Sequence, residues 1–290
     1  MKFCSANTIV YLTRSNEGET RQLIRSLRLV AKNILPWSPA DIWVFHENDF
    51  DRARLLKEPI VAQLGVKLAE VDFSSIPVGM ENLPANKRGY RHMCHFFAND
   101  IFHRDELQPY DYQMRLDVDS YILSPVKFNI CEMMSKKGVR YVYRLILKES
   151  KGVSHGLLKV SEEYFKLHPE IDRLKKPLSR VNLYYNNFEV CDLRWFRDKL
   201  WQMYFNAIDA AGGIYSNRWG DAPIRWIGLQ HLLEKRETYC LREMAYFHAF
   251  KLEKWFAFRM PWEYLRYSFS VLKWMVMSSQ QLKQSVSHGR

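Results

Sequence analysis

Two aspartates one residue apart, Asp117 and Asp119 in the stretch Arg115-Leu116-Asp117-Val118-Asp119, are the sharpest chemical signal in this 290-residue sequence. They follow Tyr110 to Leu116, a run that reads as a β-strand. In extended chain, residues i and i+2 point to the same side, so both carboxylates can meet one divalent cation, directly or through water. Mg²⁺ and Mn²⁺ prefer oxygen ligands and are commonly shared with substrate phosphates. The chemistry this suggests is neutralisation of a departing nucleoside diphosphate. Arg115 and Arg218 are candidate countercharges for the same diphosphate. An isolated Asp-x-Asp also occurs in many solvated loops, so the surrounding pattern has to decide.

Other residues with chemical potential lie downstream. Glu189 follows an apolar and aromatic stretch, Leu183-Tyr184-Tyr185 and Phe188. A carboxylate there is expected to be partly buried and shifted in pKa, as catalytic groups often are; a strand-end salt bridge is the plain alternative. Asp221 stands before Ala222-Pro223 and is read as the N-cap of a helix over Ala222 to Lys235, a role compatible with catalysis. His248 sits in Ala245-Tyr246-Phe247-His248-Ala249-Phe250, where a satisfied core histidine is the default reading. If it joined two carboxylates at a metal, its imidazole would favour Mn²⁺ over Mg²⁺. His92 and His95 are three apart on an expected helix and could share a face, yet nothing nearby completes a second metal site.

The elements that must position these groups alternate. Thr8 to Leu12, Ile42 to Phe45 and Lys67 to Val71 read as short buried strands. Between them, Leu23, Leu27, Val30, Ala31 and Ile34 mark one face of a helix stopped at Pro36, and Asp51 to Leu64 reads as a second helix ending at Gly65. This order argues for a parallel sheet with crossover helices, whose ligands sit beyond the carboxyl ends of the strands. Asn86 to Phe102 is expected to be helical, Tyr141 to Leu147 and Tyr184 to Val190 to be strands, and Leu193 to Ala210 a helix closed by Gly212-Gly213. Residues 148–182 have the weakest pattern and read as a long excursion from the sheet. The fold class is thus α/β, a Rossmann-like mostly parallel sheet flanked by helices. One domain is expected over 1–260, followed by a basic amphipathic helical tail over 261–290, in which Leu265, Phe269, Leu272 and Met275 recur at helical spacing. That tail suits docking on its own domain, on a second subunit or on a membrane surface.

Composition narrows the function classes. Hydrophobic residues at 47% and charged residues at 26% describe a globular chain with a sizeable core. The formal net charge of +11 favours polyanions or a phosphorylated small molecule. The basic residues are scattered in runs no longer than two, and no nucleic-acid-binding signature appears, so no nucleic-acid partner is expected. Five cysteines, Cys4, Cys94, Cys131, Cys191 and Cys240, form no C-x-x-C pair and read as free thiols. With neither a signal peptide nor a spanning segment evident, a cytoplasmic or peripheral membrane location is the expectation.

Several segments resemble one family. Arg91-His92-Met93-Cys94-His95-Phe96-Phe97, Asn186-Asn187-Phe188-Glu189-Val190-Cys191-Asp192-Leu193 and Arg218-Trp219-Gly220-Asp221-Ala222-Pro223 look like signature stretches of the fungal Golgi α-1,2-mannosyltransferases, glycosyltransferase family 15. Ala211-Gly212-Gly213 and Tyr246-Phe247-His248 are similar in order and spacing, so the likeness runs from about residue 85 to 250. It implies a GT-A fold, a GDP-mannose donor, Mn²⁺ (or Mg²⁺), a glycan or glycoprotein acceptor, and transfer with retention of configuration. By position, it also implies that Asp117, Asp119 and His248 bind the metal and that Glu189 lies near the anomeric carbon. Asp221 would face the acceptor and Tyr90 would contact the donor. Three departures stand out: Asp-Val-Asp replaces the family's usual Glu-Pro-x, His95 replaces an arginine, and no N-terminal anchor is seen.

The expected function is therefore a retaining, metal-dependent hexosyltransferase, with Glu189 either as nucleophile or as stabiliser of the developing cation in a same-face substitution. The rivals are a catalytically decayed nucleotide-sugar or glycan-binding protein on the same scaffold, a nucleotidyltransferase, and a basic nucleic-acid or membrane-surface module.

Overall fold

A computed structural model of the protein describes residues 7–77 and 80–248. The expected tail helix over 261–290, its membrane contact, the domain boundary at 260 and Cys4 all lie outside them. The chain begins with β1 (Asn7–Thr13), α1 (Glu17–Asn33), β2 (Asp41–His46), α2 (Arg52–Leu56), α3 (Pro59–Gln63) and β3 (Lys67–Glu70). Asn16 caps α1, its side-chain oxygen accepting from the Gly18 and Glu19 amides at 2.8 and 3.2 Å. The single helix expected over Asp51 to Leu64 is two short ones. Pro59 occupies the first turn of α3, and the residue before a proline is pushed out of helical backbone.

Next come α4 (Ala85–His95), a π-helical turn (Phe96–Asp100), α5 (Ile101–His103) and β4 (Tyr112–Leu116). The middle of the chain supplies β5 (Ser120–Ile122), α6 (Ile130–Lys137), β6 (Tyr141–Tyr143), β7 (Ile146–Lys148) and α7 (Leu157–Leu167). Then follow β8 (Asn182–Tyr184), β9 (Phe188–Asp192), α8 (Leu193–Phe196), α9 (Lys199–Ala210), α10 (Gly213–Ser216), α11 (Asp221–Leu232), β10 (Thr238–Cys240) and β11 (Tyr246–His248). Three apolar runs expected to be continuous are divided: Tyr141 to Leu147 into β6 and β7, Tyr184 to Val190 between β8 and β9, and Leu193 to Ala210 into α8 and α9.

The central sheet has seven strands in the order β10-β6-β9-β4-β1-β2-β3. Its pairings are parallel except at β9, which runs antiparallel to both β4 and β6. The expected α/β class with a mostly parallel sheet therefore holds, and β9 is the exception that matters for the site. Side chains alternate across the strands and feed two cores. Ile9, Tyr11, Tyr112 and Met114 face α1 and α6; Val10, Phe45 and Cys191 face the layer of α4, α9 and α11. On that second face β4 and β9 carry Arg115 and Glu189, paired in register.

Two small sheets sit beside the main one. β11 pairs antiparallel with β5, setting His248 opposite Ser120, and β7 pairs with β8. Cys94, Cys131, Cys191 and Cys240 carry free thiols. Among the described residues, no helix is long and apolar enough to cross a membrane.

Candidate active site

The site stands at the carboxyl end of β4, where central strand, turn and flanking hairpin meet. After Leu116 the chain turns tightly, the Ser120 amide donating to the Asp117 carbonyl at 2.9 Å. It then enters β5, whose partner β11 brings in a distant residue. His248 Nε2 stands 3.0 Å from Asp119 Oδ1 and 3.6 Å from Asp117 Oδ2. The other ring nitrogen, Nδ1, hydrogen-bonds the Tyr185 hydroxyl at 2.8 Å. Asn187 Nδ2 donates to Asp117 Oδ2 at 2.8 Å, and the Asp117 amide donates to the Asn187 carbonyl. Asp117, Asp119 and His248, 131 residues apart at the extremes (117 to 248), are thus drawn together.

Their electrostatics favour positive charge at this point. Burial pulls the His248 imidazole down, but hydrogen bonds and Coulombic attraction to Asp117 and Asp119 outweigh it and lift its pKa to about 9. For Asp117, burial works to raise the pKa, and Arg115 and His248 overcome it, holding the carboxyl well below the usual carboxylate range. Among the described residues no three His, Cys, Asp or Glu groups stand around a common point as preformed ligands; here the imidazole rests directly on the carboxylates. The donor set nevertheless fits Mn²⁺ or Mg²⁺: two carboxylate oxygens and one imidazole nitrogen. A cation would take the place of the proton on Nε2, since a ligating histidine must be neutral.

Behind this group lies a square of four charges. Arg115 and Glu189 face each other on β4 and β9; Asp221 and Arg225, one turn apart on α11, pack down on them. Arg115 Nη1 donates to Asp221 Oδ2 at 2.5 Å and stands 3.9 Å from Glu189 Oε1, while Arg225 Nε is 3.3 Å from Glu189 Oε2. Arg115 Nη2 also reaches Asp117 Oδ1 at 3.2 Å, joining the square to the outer carboxylates. The Arg115 guanidinium lies 3.5 Å above the Phe97 ring, a cation–π contact in a water-poor place. Asn186 Nδ2 donates to Asp221 Oδ2 at 2.6 Å, and the Tyr141 hydroxyl donates to Glu189 Oε2 at 2.7 Å. The Glu189 residue is 0% exposed. Burial pushes its pKa up, against the pull of Arg225, Arg115 and Tyr141.

Two expectations are corrected here. Gly220, not Asp221, is the N-cap of α11, and no side-chain capping bond is made; the Asp221 carboxylate turns to Arg115 and Asn186 instead. The helix also stops at Leu232, short of Lys235. Arg115 is placed behind the carboxylates, only 3% of its side chain exposed, with its guanidinium fork engaged by Asp221 and Asp117. Tyr90 and Arg218 form the rim: the ring is 43% exposed, and the Arg218 guanidinium lies 4.5 Å over it. Arg218 holds a left-handed backbone, φ 63°, a strained state for a side-chain-bearing residue that clusters at functional sites. The Gly213 Cα faces the Trp219 ring so closely that an added Cβ would meet it at 2.3 Å, and Trp219 Nε1 donates to the His155 carbonyl at 2.7 Å. Those two residues are scaffold that seats the turn before Asp221.

Residues missed from sequence are Tyr185, Asn186 and Asn187 as supports, and Tyr141 and Arg225. The asparagines lay inside a quoted motif without a role. Arg225 did carry a signal: a lone charge in Pro223-Ile224-Arg225-Trp226-Ile227, a helix otherwise apolar there, demands a buried partner.

Comparison with known proteins identifies the family and the fold. Residues 76–254 match the family described as glycolipid 2-alpha-mannosyltransferase. The probable mannosyltransferase YUR1 of Saccharomyces cerevisiae is 30% identical over 190 residues, covering 58% of this chain and 44% of that protein. The glycolipid 2-alpha-mannosyltransferase of the same yeast is 23% identical over 269 residues, covering 82% and 60%. The chain therefore spans about half the length of the relatives it matches. In fold it is similar to the mannosyltransferase Ktr4p of S. cerevisiae, TM-score 0.76 at 20% identity, over 85% of this chain and 71% of that one. It is similarly close to core-mannan synthase A of Aspergillus fumigatus, in its Mn/GDP form, TM-score 0.73 at 19% identity, over 85% and 75%. With the family model covering more than half of it, the chain belongs to glycosyltransferase family 15, the glycolipid 2-alpha-mannosyltransferases.

Proposed function

We propose that the protein is a metal-dependent, retaining mannosyltransferase that moves mannose from GDP-mannose to a hydroxyl of a glycan or glycoprotein. The observation that carries this reading is the convergence of Asp117, Asp119 and His248 at the end of a central strand, directly above a buried charge square that ends in Asp221 and Glu189. The related Ktr4p and core-mannan synthase A, whose structures were solved with GDP and with Mn and GDP, support the choice of donor and metal.

Asp117, Asp119 and His248 would hold Mn²⁺ (or Mg²⁺), which supplies positive charge to a departing diphosphate. The residues of the chain divide the remaining work. Tyr90, with Arg218 over its ring, offers a flat exposed face at the rim for the donor. Asp221, its Oδ2 fixed by Arg115 and Asn186, is held rigidly enough to orient an acceptor hydroxyl, which is where much of the rate gain from positioning arises. Glu189 is enclosed by Arg115, Arg225 and Tyr141 and has no exposed surface. That enclosure favours the second of its two candidate roles: a charge near the anomeric carbon that stabilises the developing cation, in place of a nucleophile that must reach carbon.

Incubation with GDP-mannose, methyl α-D-mannopyranoside and Mn²⁺, followed by NMR, tests the proposal. Release of GDP with an α-linked disaccharide is the expected outcome, abolished by EDTA and by Asp117→Asn. Pyrophosphate release, or GDP-mannose binding with no turnover, would overturn it.

A further inference from the structure

Both arginines of the buried charge square converge on one uncharged residue, Phe97. Its ring lies beneath the Arg115 guanidinium, 3.5 Å from centroid to carbon, and its carbonyl accepts from Arg225 Nη2 at 2.6 Å. Phe97 is 2% exposed and closes the family-like stretch that opens at Arg91.

Local backbone geometry makes both contacts available. Phe96–Asp100 is a π-helical turn set between α4 and α5, a widening of the helix that is frequent at functional sites. The Ile101 amide bonds the Phe96 carbonyl, five residues back. In an α-helix that amide would take the Phe97 carbonyl; here the Phe97 oxygen is left for Arg225. Asn99 and Gln202 exchange hydrogen bonds at 3.2 and 2.9 Å and tie the turn to α9. Upstream on α4, Met93 Sδ stands 4.0 Å from Arg115 Nη2, so this segment touches the arginine twice.

Each arginine has a physical need for such support. A guanidinium donates hydrogen bonds only in its own plane, and the Arg115 fork is spent on Asp221 at 2.5 Å and Asp117 at 3.2 Å. Its face is left for a ring, a contact that gains strength where water is excluded; only 3% of this side chain is exposed. The Arg225 guanidinium lies 4.9, 4.8 and 5.4 Å from the ring centroids of Phe102, Phe196 and Trp201. Within that aromatic enclosure the Phe97 carbonyl fixes it opposite Glu189. We propose that Phe97 is a positioning residue for the transfer: its ring holds Arg115, and through it the Asp221 carboxylate, while its carbonyl holds Arg225 against Glu189. That holding Asp221 matters to turnover rests on the proposed function; the stacking on Arg115 does not.

Replacing Phe97 by 4-fluoro- and then by 3,4,5-trifluorophenylalanine drains the negative face of the ring while nearly keeping its shape, so packing stays constant. In transfer from GDP-mannose to methyl α-D-mannopyranoside, kcat should fall at each step, by about 5-fold or more with three fluorines. KM for GDP-mannose should stay unchanged. Phe97→Leu should lose at least as much. In ¹⁵N-edited NMR of that variant the Arg115 Nε–H should leave the shielding of the ring and exchange faster with water. The Arg225 Nε–H, held through the main chain, should keep its place. Equal kcat in wild type and the trifluoro variant, a loss confined to KM, an unmoved Arg115 signal, or an Arg225 signal moving with it would overturn the proposal. The trifluoro variant decides the matter if Phe97→Leu does not fold. A moved Arg115 signal in a chain without turnover would remove the transferase and leave the stacking; turnover equal in all ring variants would do the reverse.

Discussion

Arg225 Nε and Glu189 Oε2 meet at 3.3 Å with side-chain exposures of 0% and 1%. The pair joins α11 to β9 beneath the candidate metal ligands, and Arg225 is also held by the Phe97 carbonyl at 2.6 Å. Removing one member of such a pair strands a buried charge, which typically costs about 3–5 kcal/mol. Arg225→Gln is therefore expected to lower stability by about that amount in urea unfolding. Arg225→Gln combined with Glu189→Gln should recover part of the loss. A single variant within 1 kcal/mol of wild type would show that the pair is not what holds α11 on the sheet.

Tyr185 reaches the metal group through His248. Its hydroxyl fixes the imidazole at Nδ1 and turns Nε2 toward the aspartates. Partners of this kind typically change metal affinity about 10–100-fold. Tyr185→Phe should weaken Mn²⁺ binding within that range by calorimetry while leaving the melting temperature nearly unchanged. Unaltered affinity would mean that the ring is oriented by other contacts.

His95 stands where relatives of this chain were expected to carry arginine, and its surroundings keep the positive charge. Burial lowers its pKa, but hydrogen bonds to Asp100 and Asp209 outweigh that and raise it to about 9. Because the folded pKa lies above the ordinary histidine value of about 6.5, the stabilisation is complete below that pH and fades as pH rises through 9. Thermal unfolding is expected to lose on the order of 1–2 kcal/mol between pH 6.5 and 9.5, a range set by linkage and reduced for the exposed aspartates. His95→Gln should flatten that part of the profile. A wild-type profile equally flat would contradict the pairing.

Gly213 and Trp219 tie two of the family-like segments together. A Cβ at 213 would fall 2.3 Å from the indole, and overpacking of this kind costs about 1–3 kcal/mol. Gly213→Ala is expected to destabilise by that amount and to lower turnover by displacing the Trp219-Gly220-Asp221 turn. Trp219→Leu in the same chain should return much of the stability. Full wild-type stability of Gly213→Ala would show that the ring is free to move.

Local pattern made parts of this legible in the sequence. The Asp117 and Asp119 pair at a strand end and the opening strand–helix alternation depend on neighbours a few residues apart, and each appears where its spacing implied. What could not be seen depends on partners chosen across the fold. Tyr141 to Leu147 is one apolar run, but β6 belongs to the central sheet and β7 to a side pair, a change of partner that leaves hydropathy untouched. Asp221 fits the cap position by type, yet Arg115 from β4 offers it a charged hydrogen bond stronger than an amide can. The antiparallel insertion of β9, which brings Glu189 against Arg115, follows from long-range register and has no local mark. The His248 role came from resemblance alone, since a histidine between tyrosine, phenylalanine and alanine reads as core.

In the proposed function, Asp117, Asp119 and His248 form one metal site at the donor diphosphate. Calorimetric titration of Mn²⁺ into the protein with GDP present, wild type against His248→Ala and Asp117→Asn, tests it most directly. Stoichiometric, EDTA-reversible binding is expected in the wild type, weakened at least 100-fold in each variant while both remain folded. Binding of equal strength in all three proteins would place the metal elsewhere.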